Sequence, residues 1–226
     1  MNKFLIAFAI IGGAIISTWV VGRISGVLDN FKVFSTANYP TFRTGQKFFV
    51  SNLKKPARFD FICFEHTTPE FGKQIWFYRL VGLSGDVIEL KNGVLFVNNE
   101  NADAFLSLAH NYYVPYNNAY QIQELENNVD ELNMQIISDD TVIMYLSDAN
   151  VKKHKMDVVK ITLPKEEKNE AIEAVYEKPW NQDHFGPVVV PTGKYFVLGD
   201  NRLNARDSRY IGFIDQKRFR GTALRK

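Results

Sequence analysis

The stretch Tyr195-Phe196-Val197-Leu198-Gly199-Asp200-Asn201-Arg202, followed by Asp207-Ser208-Arg209 and Gly212, decides how this chain is read. An apolar strand runs directly into a dense polar turn. Charged side chains rarely sit at the foot of a buried strand unless they pair with something. Two readings follow. In one, Asp200 and Asp207 accept hydrogen bonds from the backbone amides of a capped turn. In the other, the turn belongs to a functional site. The rest of the chain separates the two.

The chain has 226 residues, enough for one generous domain or a domain carrying an insertion. Hydrophobic residues make up 46% and aromatics 14%, so a sizeable core can form. A net charge of +2 argues against a polyanionic partner such as nucleic acid. The single cysteine, Cys63, excludes an internal disulfide and, lying in a strand-like run, reads as core rather than nucleophile. His66, His110, His154 and His184 are scattered without metal-ligand spacing, and all four read as surface or satisfied side chains. No repeat, low-complexity tract or glycine-rich phosphate loop is present.

Phe4 to Val21 is almost wholly apolar, between Lys3 and Arg23. At ~1.5 Å per residue such a helix nearly crosses a ~30 Å hydrocarbon core. Trp19 suits an interfacial position. A cleaved signal peptide is the competing reading, but Val21-Gly22-Arg23 is a poor cleavage site, which favours an uncleaved anchor. Lys3 and the amino terminus on one side balance Arg23 and Lys32 on the other, so charge assigns no orientation.

Val27 to Lys32 reads as a linker. Strand-like runs follow at Lys47 to Val50, Phe59 to Phe64, Ile75 to Val81, Val87 to Leu90 and Val94 to Val97. Phe59 to Phe64 is apolar nearly throughout, as a strand covered on both faces would be, and Asn92-Gly93 predicts a tight hairpin. Between Asn101 and Pro179 the charge rises. There Asn117 to Asn133 reads as partly helical, Met134 to Ile137, Val142 to Leu146 and Val158 to Leu163 as strands, and Ser147 to Lys155 as a helix with Ser147 as N-cap and Asp148 in its first turn. Lys165 to Lys178 reads as charged and exposed, and the β pattern resumes at Val188 to Val190 and Tyr195 to Leu198. The expected organisation is an anchor over residues 1–26, a β-core over 27–100 and 181–226, and an inserted α+β subdomain over 101–180.

Five motifs, in order, resemble those of bacterial signal peptidase I. Tyr195 to Gly212 resembles its Gly-Asp-Asn-Arg … Asp-Ser-Arg box. Arg79-Leu80-Val81-Gly82-Leu83-Ser84-Gly85-Asp86 is similar to its Arg-x-Val-Gly-Leu-Pro-Gly-Asp turn, and Lys91 to Asn98 to the hairpin that follows. Arg58-Phe59-Asp60-Phe61-Ile62-Cys63-Phe64 resembles the Arg-Gly-Asp-Ile-Val-x-Phe strand, and Pro40-Thr41 with Gly45 the end of the Ser-Met-x-Pro-Thr box. The resemblance covers the anchor, Val33 to Asn98 and Phe185 onwards, but not the insertion. It implies a mainly β, signal-peptidase-like fold with an N-terminal transmembrane helix. It also implies a single-pass protein of the bacterial cytoplasmic membrane with its soluble domain on the extracytoplasmic side. Self-cleaving repressors of the SOS type share the fold, but the anchor and the Gly-Asp-Asn-Arg box argue against that branch.

The family cuts signal peptides from secreted proteins with a serine nucleophile and a lysine general base. A serine hydroxyl attacks only when a neighbour takes its proton, and lysine does so only when burial lowers its pKa. Carried over residue by residue, the chemistry is missing. Pro40 and Thr41 set the register that places Ala37 at the nucleophile and Asn38 at the methionine. Arg79, Val81 and Gly82 place Tyr78 at the lysine, and Asn204, Asp207, Ser208 and Arg209 place Ala205 at the serine that supports it. Ser35 remains where many members carry an oxyanion-hole hydroxyl. The residues that hold the site, Arg79, Asp200, Asn201, Arg202, Asp207, Ser208 and Arg209, also remain.

Losing the catalytic serine of a serine protease costs on the order of 10⁶ in turnover, and tyrosine, with a reference pKa near ~10, is a weak base at neutral pH. The expectation is a signal peptidase-like protein of the secretory pathway without peptidase activity. The implied partners are the lipid bilayer and either signal peptides, held as an added β-strand, or a partner peptidase. No metal, cofactor or nucleic acid is implied. One alternative is an active peptidase with non-standard residues, with Ser35 attacking and Lys32, Lys47 or Lys73 as base. Another is a structural role carried by the insertion.

Overall fold

The computed structural model describes residues 3–126 and 134–224. A helix α1 (Lys3–Ile24) comes first, then β1 (Asp29–Lys32), β2 (Lys47–Ser51), β3 (Phe61–Thr68), β4 (Gly72–Gly82), β5 (Val87–Lys91), β6 (Val94–Val97) and β7 (Glu100–Asn101). A 3-10 turn at Asp103–Phe105 leads to β8 (Ala109–Pro115), α2 (Tyr116–Leu125), β9 (Met134–Ile136), β10 (Thr141–Ser147), α3 (Asp148–His154), β11 (Val159–Lys160) and α4 (Glu170–Tyr176). The chain closes with β12 (Phe185–Val189), β13 (Lys194–Leu198), α5 (Ser208–Ile211), β14 (Ile214–Asp215) and β15 (Phe219–Ala223). The protein is mainly β. Its strands form a seven-stranded sheet ordered β1-β2-β15-β3-β4-β13-β14 and two four-stranded sheets, β12-β5-β6-β7 and β11-β8-β10-β9.

Local chemistry explains much of this. Asn92 and Gly93 have φ of 50° and 76°, the doubly positive pair that a two-residue hairpin turn needs, and Lys91 pairs with Val94 across it. Phe61 to Phe64 is buried throughout, as its unbroken apolar run predicts. Phe61 and Cys63 enter one core cluster with Phe42 and Phe48, while Ile62 and Phe64 enter another with Leu80 and Val197. In β5 and β6, Ile88, Leu90, Leu95 and Val97 point into a third cluster around Phe185 and Phe196. From Lys3 to Gly22, α1 has a mean hydropathy of 2.4 and no burial, so it is long and apolar enough to cross a membrane.

Several expectations are corrected. The linker ends in a strand, because Asp29 to Lys32 pairs with β2. The third strand begins at Phe61, not Phe59: Phe59 has a φ of 72°, which breaks the extended run. Ser147 does occupy the N-cap of α3, but its side chain makes no capping bond. The returning strand shrinks to Val159–Lys160. Lys165 to Lys178 is not wholly exposed. Asn169 caps α4 there, and Ile172 is buried in the cluster around Phe196. Of the polar stretch to Asn133, Tyr116–Leu125 is helical and residues 127–133 lie outside the described residues.

Candidate functional site

The polar box after β13 resolves into three Arg–Asp ion pairs, Arg79–Asp200, Arg209–Asp207 and Arg202–Asp103. Arg79, on β4, grips Asp200 as a fork, Nε to Oδ1 at 2.7 Å and Nη2 to Oδ2 at 2.6 Å. Thr41 adds its hydroxyl to the same carboxylate, so the loop before β2 is tied to the foot of β13. Asp207 accepts from the Gly199 amide at 3.0 Å and the Arg209 amide at 3.2 Å, and its own fork partner is the Arg209 guanidinium at 2.8–2.9 Å. The capped-turn reading therefore holds for Asp207 but not for Asp200. Arg209 also donates to the carbonyls of Gln182 and Arg202, and the Ser208 hydroxyl accepts from the Val197 amide at 3.0 Å. Removing one partner of such a buried pair typically costs about 3–5 kcal/mol.

The box positions the loop that carries Ala37. The Asn201 amide donates to the Ala37 carbonyl at 3.0 Å, and its side chain reaches the Thr36 carbonyl at 3.3 Å. Gly199 makes the approach possible: a Cβ there would lie 2.3 Å from the Ala205 methyl and 2.6 Å from the Ala37 carbonyl oxygen. Ala37, Tyr78 and Ala205, far apart in sequence, thus meet in one apolar cluster with Leu80, Tyr195, Val197 and Ile214. Burial, and then the Asp207 carboxylate, push the Tyr78 phenol above its ordinary range; the Arg206 amide and the Arg209 and Arg206 charges offset this only in part. The phenol is protonated at neutral pH and offers a hydrogen, not a base.

Two members of this cluster, Ala37 and Tyr78, line a cleft of about 540 Å³ together with the end of β1 and the loop after it, Phe48 and Cys63, the middle of β4, and Asn204 and Arg206; Ala205 is not part of the lining. Ser35 lies on its exposed rim. Asn38, nearly fully buried, donates to the Phe77 carbonyl at 2.6 Å and leaves its Oδ1 without a partner among the described residues. Lys32 lines the cleft and is exposed, while Lys47 and Lys73 are not among its lining residues.

Arg202 departs from the expected grouping. Its side chain forks onto Asp103, at 2.5 and 3.1 Å, in the 3-10 turn after β7. Nothing in the sequence marked Asp103, because the pair spans 99 positions. Nor are all four histidines surface or satisfied. His110 is buried, with Nδ1 on the Asp148 carboxylate at 2.9 Å and Nε2 without a partner among the described residues, and His66 Nδ1 is likewise unpaired. Burial outweighs Asp148 and holds the His110 pKa below the ordinary histidine value. Among the described residues no group of His, Cys, Asp or Glu is arranged to hold a metal ion.

The frame is thus an antiparallel β domain behind an apolar N-terminal helix, with a cleft lined by Ala37 and Tyr78 and a polar box held by buried Arg–Asp forks. The chain belongs to the signal peptidase family, peptidase S26, which it matches over residues 3–225. It is similar to a signal peptidase I of Bacillus amyloliquefaciens, 26% identical over 203 residues, 87% of this chain and 72% of that one. A signal peptidase I of Buchnera aphidicola is 29% identical over 177 residues, 76% of this chain and 55% of the relative, so the chain spans about half of that protein. A Bacillus licheniformis signal peptidase I is 62% identical over 40 residues, 17% of this chain and 22% of that one. A solved signal peptidase I of Enterococcus faecalis is matched over 75% of this chain and 97% of that one, at 25% identity and a TM-score of 0.36.

Proposed function

We propose that this protein is a membrane-anchored member of the family that binds signal peptides, or a peptidase that handles them, without cutting. The observation that carries this reading is the joint placement of Ala37, Tyr78 and Ala205 in one apolar cluster. By the family register these are the nucleophile, the general base and the serine that supports it. Each has lost the group its role needs, while the forks around them are intact. Helix α1 supports anchoring in a lipid bilayer, with the β domain on the extracytoplasmic side as the family register implies. The cleft beside Phe77 and Tyr78 suits an extended peptide.

The alternative, Ser35 attacking with Lys32 as base, meets an obstacle: a lysine base has to be desolvated, and Lys32 is exposed. The test is incubation of the purified protein with a labelled precursor. No cleaved product is expected. Cleavage that disappears on Ser35→Ala would overturn the reading. A triple change, Ala37→Ser with Tyr78→Lys and Ala205→Ser, is expected to bring cleavage back to a detectable level, because position 78 is buried enough to keep a lysine partly neutral.

A further inference from the structure

The charges around the cleft are one-sided. Lys32 and Arg206 both line it, and no aspartate or glutamate does among the described residues. Neither cation has a carboxylate partner among the described residues, whereas Arg58, Arg79, Arg202, Arg209 and Arg220 each spend their charge on one. Arg206 is exposed and directly follows Ala205 in the apolar cluster, and its charge is felt by the Tyr78 phenol. Opposite these cations the walls are apolar, formed by Phe48, Ile75, Trp76 and Phe77. The cleft therefore suits an apolar peptide segment that ends in, or carries, a negative charge.

Resting on the function proposed above, we propose that the cleft prefers peptides with a free α-carboxylate at their C-terminus, such as signal peptides already released, over uncut precursors. A chain that crosses the cleft uncut presents a neutral amide at Ala37. A chain cut at that point presents a carboxylate there. Among the described residues, the cleft that Ala37 lines also carries the Arg206 guanidinium and the Ser35 hydroxyl, both donors, and no acid. Hydrogen bonds to an ionised acceptor are roughly twice as strong as neutral ones. The methyl of Ala37 adds no reactive group, so a bound product is simply held.

The test is fluorescence anisotropy of the full chain in detergent with three labelled peptides. One ends in alanine as the free acid, one is the same peptide as its C-terminal amide, and one continues past that alanine. The acid is expected to bind several-fold more tightly than the other two at low salt, with the difference shrinking as salt is added, because a charge-assisted contact is stronger than a neutral one and an exposed cation is screened. The difference should vanish in Arg206→Gln, a change at an exposed position that leaves the core untouched. Equal binding of acid and amide, or a preference that survives Arg206→Gln, overturns the proposal while leaving the pseudopeptidase reading in place. Failure of all three peptides to bind overturns the proposal and, with it, the peptide-binding form of the function proposed above.

Discussion

Phe59 is the residue under most visible backbone constraint. It stands where the family strand has glycine, and its φ of 72° lies in the region that side chains resist. For a residue with a Cβ, left-handed backbone costs roughly 1–2 kcal/mol. The ring offsets that cost by packing half-buried on the cluster around Phe185 and Phe196. The two contributions separate by substitution. Phe59→Ala loses the ring and keeps the strain, whereas Phe59→Gly loses the ring and the strain together. Glycine should therefore be the more stable replacement by about 1 kcal/mol, the reverse of the usual order within a strand. Urea unfolding of the two variants checks this, and an alanine variant as stable as glycine or better would show that the backbone is relaxed. The constraint was legible only in part: the motif register puts Phe59 at a glycine position, but the sign of its φ is a property of the fold.

At the scale of elements, the turn from β4 into the β5–β6 hairpin is knotted by one carboxylate. Asp86 accepts from the Leu83 amide at 2.7 Å, from Arg58 at 2.6 Å and from the Asn98 side chain at 2.9 Å. Burial alone would raise its pKa; the Leu83 amide, Asn98 and Arg58 outweigh it, so the carboxyl titrates below the ordinary aspartate value. The folded form thus binds this proton less tightly than the unfolded chain. The stability that follows is fully present above the unfolded pKa near ~4 and is lost as pH falls through the lower folded value. Asp86→Asn should cost roughly 1–3 kcal/mol at neutral pH, with the gap to the unchanged protein closing below about pH 4. A gap that stays constant from pH 7 to pH 3 in denaturant titrations would rule out this linkage. The hairpin was readable because its determinants, Asn92-Gly93 and flanking alternation, are neighbours in sequence. The same holds for the Ala37, Tyr78 and Ala205 positions, each reached from an adjacent motif. The Asp103 partnership of Arg202, the burial of Asn38 against Phe77 and the charge bias of the cleft were not readable, since they depend on which distant segments meet.

Across the whole molecule, the block of residues 101–180 is bound tightly to the polar box and to the core around Phe196. Arg202, almost fully buried, finds its only carboxylate among the described residues in Asp103. The Ala109 amide donates to the Asp200 carbonyl at 2.9 Å, and the Arg202 amide donates back to the Ala109 carbonyl at 3.0 Å, so β8 is stitched to the box itself. Tyr39, two residues beyond Ala37, bonds the buried Glu126 at the end of α2. From the other side, Ile172 of α4 enters the cluster around Phe196, and the Tyr176 hydroxyl reaches the Ser208 carbonyl at 2.6 Å. Removing Asn101 to Pro179 would therefore strip a buried guanidinium of its partner, unsatisfy the box and open one core cluster together. A buried charge left unpaired costs about 3–5 kcal/mol, a large share of the 5–15 kcal/mol that holds a domain folded. The deletion should show no cooperative thermal transition, and Asp103→Ala alone should lower stability by about 3 kcal/mol or more. Tyr120→Ala, at an exposed position on α2, should stay within about 0.5 kcal/mol of the parent. A deletion that melts cooperatively at the parent's temperature would mean that the box stands without the block. The block's role would then have to be sought on its exposed surface, rather than in its hold on the loop that carries Ala37.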